Sequence, residues 1–190
     1  MKIKTRDLIL VVIDAVGSRP EFGRTSLQKT LYLVSEKVSF PLGHDAYFYG
    51  PFSASIEEHT EALVLSGLLS EKSESLGFAG PTGRPAVRYQ YEITPAGVER
   101  VALVEATHPT DTKKVRDIVA SVVEAAKGSL DQGVLSLAAK TYYIAKEEGR
   151  PLTLPEIKDL AKAKSWQLSE AQIKRVSAIL VDLDLIKTVN

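Results

Sequence analysis

Apolar residues recur along the N-terminal third of the chain with the spacing of helices that bury one face. A first stripe has the i, i+3, i+4, i+7, i+8 spacing and consists of Leu8, Val11, Val12, Ala15 and Val16. A second one-sided stripe consists of Leu27, Leu31, Val34 and Val38. A third helix is predicted to start at the capping-box pair Ser55 and Glu58 and to end at Gly67.

The pattern then changes to the period of two that is typical of a half-buried strand. The alternating apolar positions are Val87, Tyr89, Tyr91 and Ile93. Leu68 and Leu69 begin an earlier strand, and the segment 73–85 between the two is rich in glycine and proline, so we expect an exposed loop there. The aromatic run 46–49 predicts another short strand. Thr94-Pro95 predicts the start of the next helix.

All regular structure after His108 is predicted to be helical. The segment 108–112 combines a proline with three capping residues, so we expect it to link two domains, 1–108 and 109–190. Two capping boxes near the C-terminus predict helix starts, at Thr153/Glu156 and at Ser169/Gln172. The short connector between these helices is typical of a helix-turn-helix pair.

These elements predict a mainly α chain with a small β-hairpin, in the α+β class. Three helices, a strand pair with a glycine-rich tip and a return helix are the parts of a winged helix, which we expect in 1–108. The segment 109–190 is expected to be all helical and to end in the helix-turn-helix-like pair.

Three motifs resemble those of a known family. They are RTSLQKTLYL at 24–33, YGPFS at 49–53 and LSGLL at 65–69, and they resemble the YwgA-type predicted regulators and, more distantly, the Panacea-type antitoxin domains. The segment 88–100 is similar to the wing strand and following helix of many winged-helix regulators. The resemblance implies a regulator-like or interaction-module fold without a defined activity.

Lys29 and Tyr32 accompany the apolar stripe of the second helix without belonging to it. The resemblance implies a surface role for both residues. The other interpretation is that Tyr32 packs at the edge of the core and that Lys29 lies in solvent.

The amino-acid composition excludes several kinds of functional site. Among 190 residues there is no cysteine, which excludes disulfides, thiolate nucleophiles and cysteine-based metal sites. Lysine and arginine number 24, as do aspartate and glutamate, so the chain lacks the overall basic charge that often accompanies nucleic-acid binding. No apolar run approaches a membrane-spanning length and no signal-peptide pattern is present, so we expect a cytoplasmic protein with no membrane association.

Motifs for enzymatic chemistry are missing from the sequence. The histidines His44, His59 and His108 lack zinc-site spacing, and no G-x-S-x-G nucleophile elbow occurs. The glycines of segment 77–83 are spaced as in a phosphate loop but lack the lysine-serine ending and do not open a helix. We therefore expect neither enzymatic activity nor a cofactor or metal.

The first functional hypothesis is a winged-helix DNA-binding transcriptional regulator. It would act as a homodimer whose helices in 112–148 pair across a two-fold axis. Its candidate contacts to double-stranded DNA lie on the wing and on the C-terminal helix pair, at Lys72, Arg84, Arg88, Lys162, Lys164, Gln172, Lys174 and Arg175. The helix at 55–66, in the recognition position, carries three glutamates that would repel DNA.

The alternative is a protein-protein interaction module of antitoxin or adaptor type with no direct DNA binding. Its candidate partner-binding residues are Glu57, Glu58, Glu61, Tyr47 and Tyr49. The sequence leaves both hypotheses open.

Overall fold

A computed structural model describes residues 1–17, 22–80, 83, 85–128 and 130–187. In this part of the chain there are eight helices and one antiparallel pair of strands. The helices are α1 (Thr5–Val16), α2 (Arg24–Val38), α3 (Ala54–Leu65), α4 (Pro95–Thr107), α5 (Pro109–Ala125), α6 (Gln132–Glu148), α7 (Leu154–Ala163) and α8 (Glu170–Asp182). The strands are β1 (Leu69–Ala79) and β2 (Pro85–Ile93). The mainly α chain with a small hairpin is confirmed.

The largest hydrophobic core includes helices from both sides of His108. α1 lies at its centre, because it contacts α2, α3, α4, α5 and β2, and its residues 8–12 are fully buried. The apolar stripe of α5 packs into the same core and consists of Val115, Val119 and Val122. This stripe is therefore covered by the chain itself, and it is not presented to a second copy.

The prediction that residues 108–112 form a linker is wrong. α4 ends at Thr107 and α5 begins at Pro109, so only His108 lies between them. Proline is well suited to the first position of a helix, and the Thr112 hydroxyl donates to the His108 carbonyl at 2.9 Å. The proline thus starts a helix here and does not mark a loop.

A second, smaller core joins the C-terminal helices. Its buried members are Ile144, Leu152, Ile157, Ala161, Trp166, Leu168 and Ile173. Both capping boxes, at Thr153/Glu156 and at Ser169/Gln172, are confirmed. The Trp166 Nε1 donates to the Tyr47 carbonyl at 2.7 Å, so this core contacts the loop between α2 and α3.

The hairpin is longer than expected. β1 and β2 pair from Leu69↔Ile93 to Ser75↔Val87, with an irregularity before Ala79↔Pro85. The prediction of a loop at 73–85 is therefore wrong for residues 73–79, which belong to β1, and for Pro85, which begins β2. These positions are mostly exposed, and an exposed strand pair needs no apolar alternation, so the sequence pattern did not indicate it. Arg84 lies outside the described residues.

Two predictions beside α3 are wrong. Ser53 caps this helix in place of Ser55, because its Oγ accepts from the Ile56 N–H at 3.3 Å. The run 46–49 forms no strand, and a single bridge between Asp45 and Phe52 closes a loop around it. The chain reverses at Gly50, whose φ of 104° is unfavourable for other residues.

Candidate functional site

Two of the family-like motifs contact each other through buried polar groups. The Gln28 Nε2 donates to the Ser53 carbonyl at 2.9 Å, and the Ser53 N–H donates to the Gln28 Oε1 at 3.0 Å. The next residue, Lys29, donates from its Nζ to the Pro51 carbonyl at 2.6 Å. One face of α2 therefore holds the backbone of residues 51–53 in place through three hydrogen bonds.

Lys29 is only 2% exposed, so its expected position in solvent is wrong. Burial disfavours its ammonium form, and Lys140 adds repulsion, so the pKa of Lys29 falls to about 7. Tyr32 is 1% exposed and lies in the core, not at its edge. Lys29 and Tyr32 of the 24–33 motif are therefore buried inside the fold and do not lie on its surface.

Gly50 packs against the same buried lysine. A Cβ at this position would lie 3.1 Å from the Lys140 Cγ and 3.3 Å from the Lys29 Cε. The tight contact and the positive φ together account for glycine at the second position of the YGPFS turn.

The loop between α2 and α3 borders an apolar pocket of about 140 Å³. We call it the aromatic pocket, and its apolar walls are Leu27, Tyr47, Tyr49, Phe52, Ile56 and Tyr91. The rings of Tyr47 and Phe52 lie 5.2 Å apart, centroid to centroid. Three consecutive aromatic side chains beside the pocket are about half exposed, namely Tyr47 (50%), Phe48 (51%) and Tyr49 (51%).

Arg24, which also lines the aromatic pocket, is held by several partners at once. Its guanidinium lies 3.1 Å from Glu71, 3.5 Å from Glu57 and 3.1 Å from the Tyr91 hydroxyl. It also stacks over the ring of Tyr89 at 3.7 Å. Sequence reasoning missed this cluster, since its members come from α2, α3 and the hairpin and share no local pattern.

The three glutamates of α3 have different surroundings. Glu57 is partly buried and pairs with Arg24, whereas Glu58 and Glu61 are exposed and have no ion pair among the described residues. α3 contains no lysine or arginine. The exposed side of this helix is therefore acidic.

Four of the eight predicted DNA contacts lie beside carboxylates of the same chain. Four such ion pairs occur on the hairpin and around α7, namely Lys72–Glu92 (3.0 Å), Arg88–Glu74 (3.8 Å), Lys162–Asp159 (3.3 Å) and Lys164–Glu147 (2.6 Å). Each pairing reduces the positive charge available to a phosphate.

The remaining predicted DNA contacts begin α8. The Gln172 Oε1 accepts from Ser169 within the capping box, so part of this amide is already used. Lys174 and Arg175 are exposed and have no ion pair among the described residues. They are the best placed of the predicted cations for an external anion.

In the described ranges, no group of three or more histidine, aspartate or glutamate residues is placed to hold a metal ion. No helix there is long and apolar enough to cross a membrane.

Comparisons with known proteins do not add to this picture. No family model matches the chain, and no curated protein is significantly similar to it. The resemblance of the motifs at 24–33, 49–53 and 65–69 to the YwgA-type and Panacea-type families therefore stays a prediction.

Proposed function

We propose that this chain is a protein-interaction module of the adaptor or antitoxin type, which binds a basic partner segment at the aromatic pocket. The observation that carries the proposal is the run Tyr47-Phe48-Tyr49, half exposed beside an apolar pocket. Aromatic side chains are enriched in protein interfaces and often supply much of their binding energy. A segment with a large apolar side chain would cover this run and place that side chain in the pocket.

The contacts of the loop favour binding because they restrain it before a partner arrives. Asp45 and Phe52 exchange two backbone hydrogen bonds of 2.9 Å, and Trp166 holds the Tyr47 carbonyl. Gln28 holds residue Ser53 at the end of the loop. A preorganised surface loses less conformational entropy when it binds.

Charge indicates the chemistry of the partner. Glu58 and Glu61 are exposed on α3. Glu57, on the same helix, lines the aromatic pocket. Their uncompensated negative charge favours lysine or arginine beside the apolar anchor of the partner. The acidic α3 occupies the position of the recognition helix if residues 1–108 form a winged helix, a fold that the order α1–α3, β1, β2, α4 supports. We propose that this fold serves protein binding here.

Peptide binding tests the proposal. We expect a peptide pool with a central phenylalanine flanked by lysine and arginine to bind the full chain at least about tenfold more tightly than a pool flanked by aspartate and glutamate. Reversal of the exposed charges, Glu58→Lys with Glu61→Lys, should remove this preference. Tyr49→Ser should weaken binding of the basic pool by about tenfold or more, since it removes a wall of the pocket. Fluorescence anisotropy measures these affinities.

The matched control is Phe78→Ser, which removes an aromatic side chain of similar exposure (61%) from the hairpin. Its affinity for the basic pool should equal that of the wild type. Equal binding of the basic and acidic pools would contradict the proposal, as would unchanged affinity of the Tyr49→Ser variant.

A second candidate function, DNA binding, is favoured by Lys174 and Arg175. Both are exposed without a carboxylate partner in the described part of the chain, near the start of the second helix of the α7–α8 pair. Residues at this position of a helix-turn-helix contact base edges and phosphates. DNA would then bind at α8, and the paired cations of the hairpin would contribute little.

Gel mobility shift at low salt tests this second function. If α8 binds duplex DNA, the double variant Lys174→Ala with Arg175→Ala should lose about tenfold or more in affinity and show a shallower salt dependence, because two phosphate contacts are lost. The double variant Lys72→Ala with Arg88→Ala is the matched control and should bind like the wild type. Absence of any shift with wild-type protein would eliminate DNA binding.

A further inference from the structure

Two buried polar atoms at the far end of the α2 motif lack a hydrogen-bond partner in the described part of the chain. They are the Tyr32 Oη and the His44 Nε2. The two rings meet edge to face with centroids 4.8 Å apart. An unsatisfied buried polar atom destabilises the fold, so a ligand that forms a hydrogen bond with either atom would remove that cost.

Both residues lie in the wall of a cavity of about 360 Å³, which is within the size range of small-molecule sites. The cavity lies between α2, the segment 41–44 and α6. Pro41 and Tyr143 add flat, largely apolar surfaces to it. The cavity therefore combines planar walls with two unsatisfied polar atoms.

The hydrogen-bonding roles of the two atoms differ. Burial, with further repulsion from Lys29 and Lys146, lowers the pKa of His44 to about 4, so the ring is neutral at pH 7. The ring forms a hydrogen bond with the backbone of Gln28 that favours its protonation. Since Nε2 has no partner, Nδ1 makes this bond as a donor, and Nε2 is left as an acceptor. Burial raises the pKa of Tyr32, whose hydroxyl keeps its proton and can donate it.

The charged residues of the cavity wall already have partners. Lys146 lies 2.8 Å from Glu36, which also accepts from the Tyr142 hydroxyl at 3.2 Å. Glu147 lies 2.6 Å from Lys164. Because these charges are compensated, the cavity favours neither an anion nor a cation.

We propose that this cavity binds a small, neutral, planar molecule in which an N–H donor adjoins a carbonyl acceptor, as in a lactam. The N–H of the ligand donates to the His44 Nε2, and its carbonyl accepts from the Tyr32 hydroxyl. The planar walls pack against its ring. This site is separate from the aromatic pocket, and it does not depend on the function proposed for that pocket.

Uracil is the probe, and 1,3-dimethyluracil, which has the same ring but no N–H, is its control. We expect uracil to bind the full chain with an affinity about tenfold higher than the dimethyl compound, because the dimethyl compound cannot donate to the His44 Nε2 and one hydrogen bond is worth up to about this factor. Titration calorimetry measures both affinities. The His44 ring nitrogens, observed by ¹⁵N NMR, should shift on addition of uracil only.

The Tyr32→Phe variant should lose about tenfold in uracil affinity and still fold, because the hydroxyl that it removes has no partner in the described residues. Tyr49→Phe is the matched control, since it removes the same hydroxyl from a tyrosine that lines the aromatic pocket and not this cavity. It should bind uracil like the wild type. The proposal is overturned by equal affinity for the two compounds, by unchanged uracil affinity of Tyr32→Phe, or by no uracil binding up to its solubility limit.

Discussion

Replacing Lys29 with methionine is expected to abolish a large gain in stability that the wild type shows as the pH rises from 7 to 10. The pKa of Lys29 is lowered to about 7 by burial and by Lys140, and in the unfolded chain it returns to 10.5. Between these values the unfolded chain binds a proton that the folded chain does not, so stability rises with pH. The stabilisation is complete above pH 10.5 and is lost as the pH falls to 7. The difference between the pKa values of Lys29 in the folded and the unfolded chain corresponds to about 5 kcal/mol of free energy of unfolding.

Urea denaturation of the wild type and of Lys29→Met across this pH range measures the effect. We take the free energy of unfolding of Lys29→Met minus that of the wild type. This difference should be about 4 kcal/mol larger at pH 7 than at pH 10. Lys114→Met, a substitution at an exposed lysine, is the control and should run parallel to the wild type. The other ionisable groups are shared by the proteins compared, so their contributions cancel. Parallel curves for Lys29→Met and the wild type would show that Lys29 keeps its proton when buried.

Gln28→Leu is expected to lower the free energy of unfolding by about 2–6 kcal/mol, because it leaves two buried polar groups without a partner and each costs about 1–3 kcal/mol. The substitution removes both hydrogen bonds to the Ser53 backbone, whose N–H and carbonyl then have no partner from Gln28. Leucine fills a similar volume, so the loss is one of hydrogen bonding and not of packing. Chemical denaturation measures it.

Gln132→Leu is the matched control, since it makes the same change at an exposed position on α6 and should alter stability by less than about 0.5 kcal/mol. Amide exchange gives an independent check, because the Ser53 N–H should exchange faster in Gln28→Leu. Gln28→Leu should also weaken binding of the basic peptide pool, because Gln28 holds Ser53 at the end of the loop between α2 and α3. A loss below about 1 kcal/mol would mean that Ser53 finds other partners.

Local features of the sequence predicted the parts of the fold that depend on neighbouring residues. The cap at Thr94 forms as expected, as do the capping boxes that start at Thr153 and Ser169. The apolar stripes predicted in α1 and α2 do lie in the core. The prediction that only one face of each helix is buried is wrong, because residues 7–13 of α1 and 26–35 of α2 are buried in succession. Tyr47 and Tyr49 were selected from their residue type alone, and their exposure at the aromatic pocket keeps them available to a partner.

Contacts between distant residues could not be predicted in this way. The burial of Lys29 depends on the carbonyl of Pro51, which is 22 residues away in the sequence. The cap of α3 is Ser53 and not the predicted Ser55, because Gln28 and the carbonyl of Leu42 hold Ser53 in the core. No propensity or periodicity indicates such partners, because they depend on how the helices pack.

The electrostatic character of the surfaces was likewise decided by the tertiary structure. The sequence supplied candidate cations, but only packing placed Lys164 beside Glu147, and only strand register placed Arg88 opposite Glu74. By itself, the sequence determined the helical elements, the hairpin and the acidic character of α3. The three-dimensional fold decided which charges remain unpaired and which polar atoms line a cavity, since both depend on distances between residues far apart in the chain.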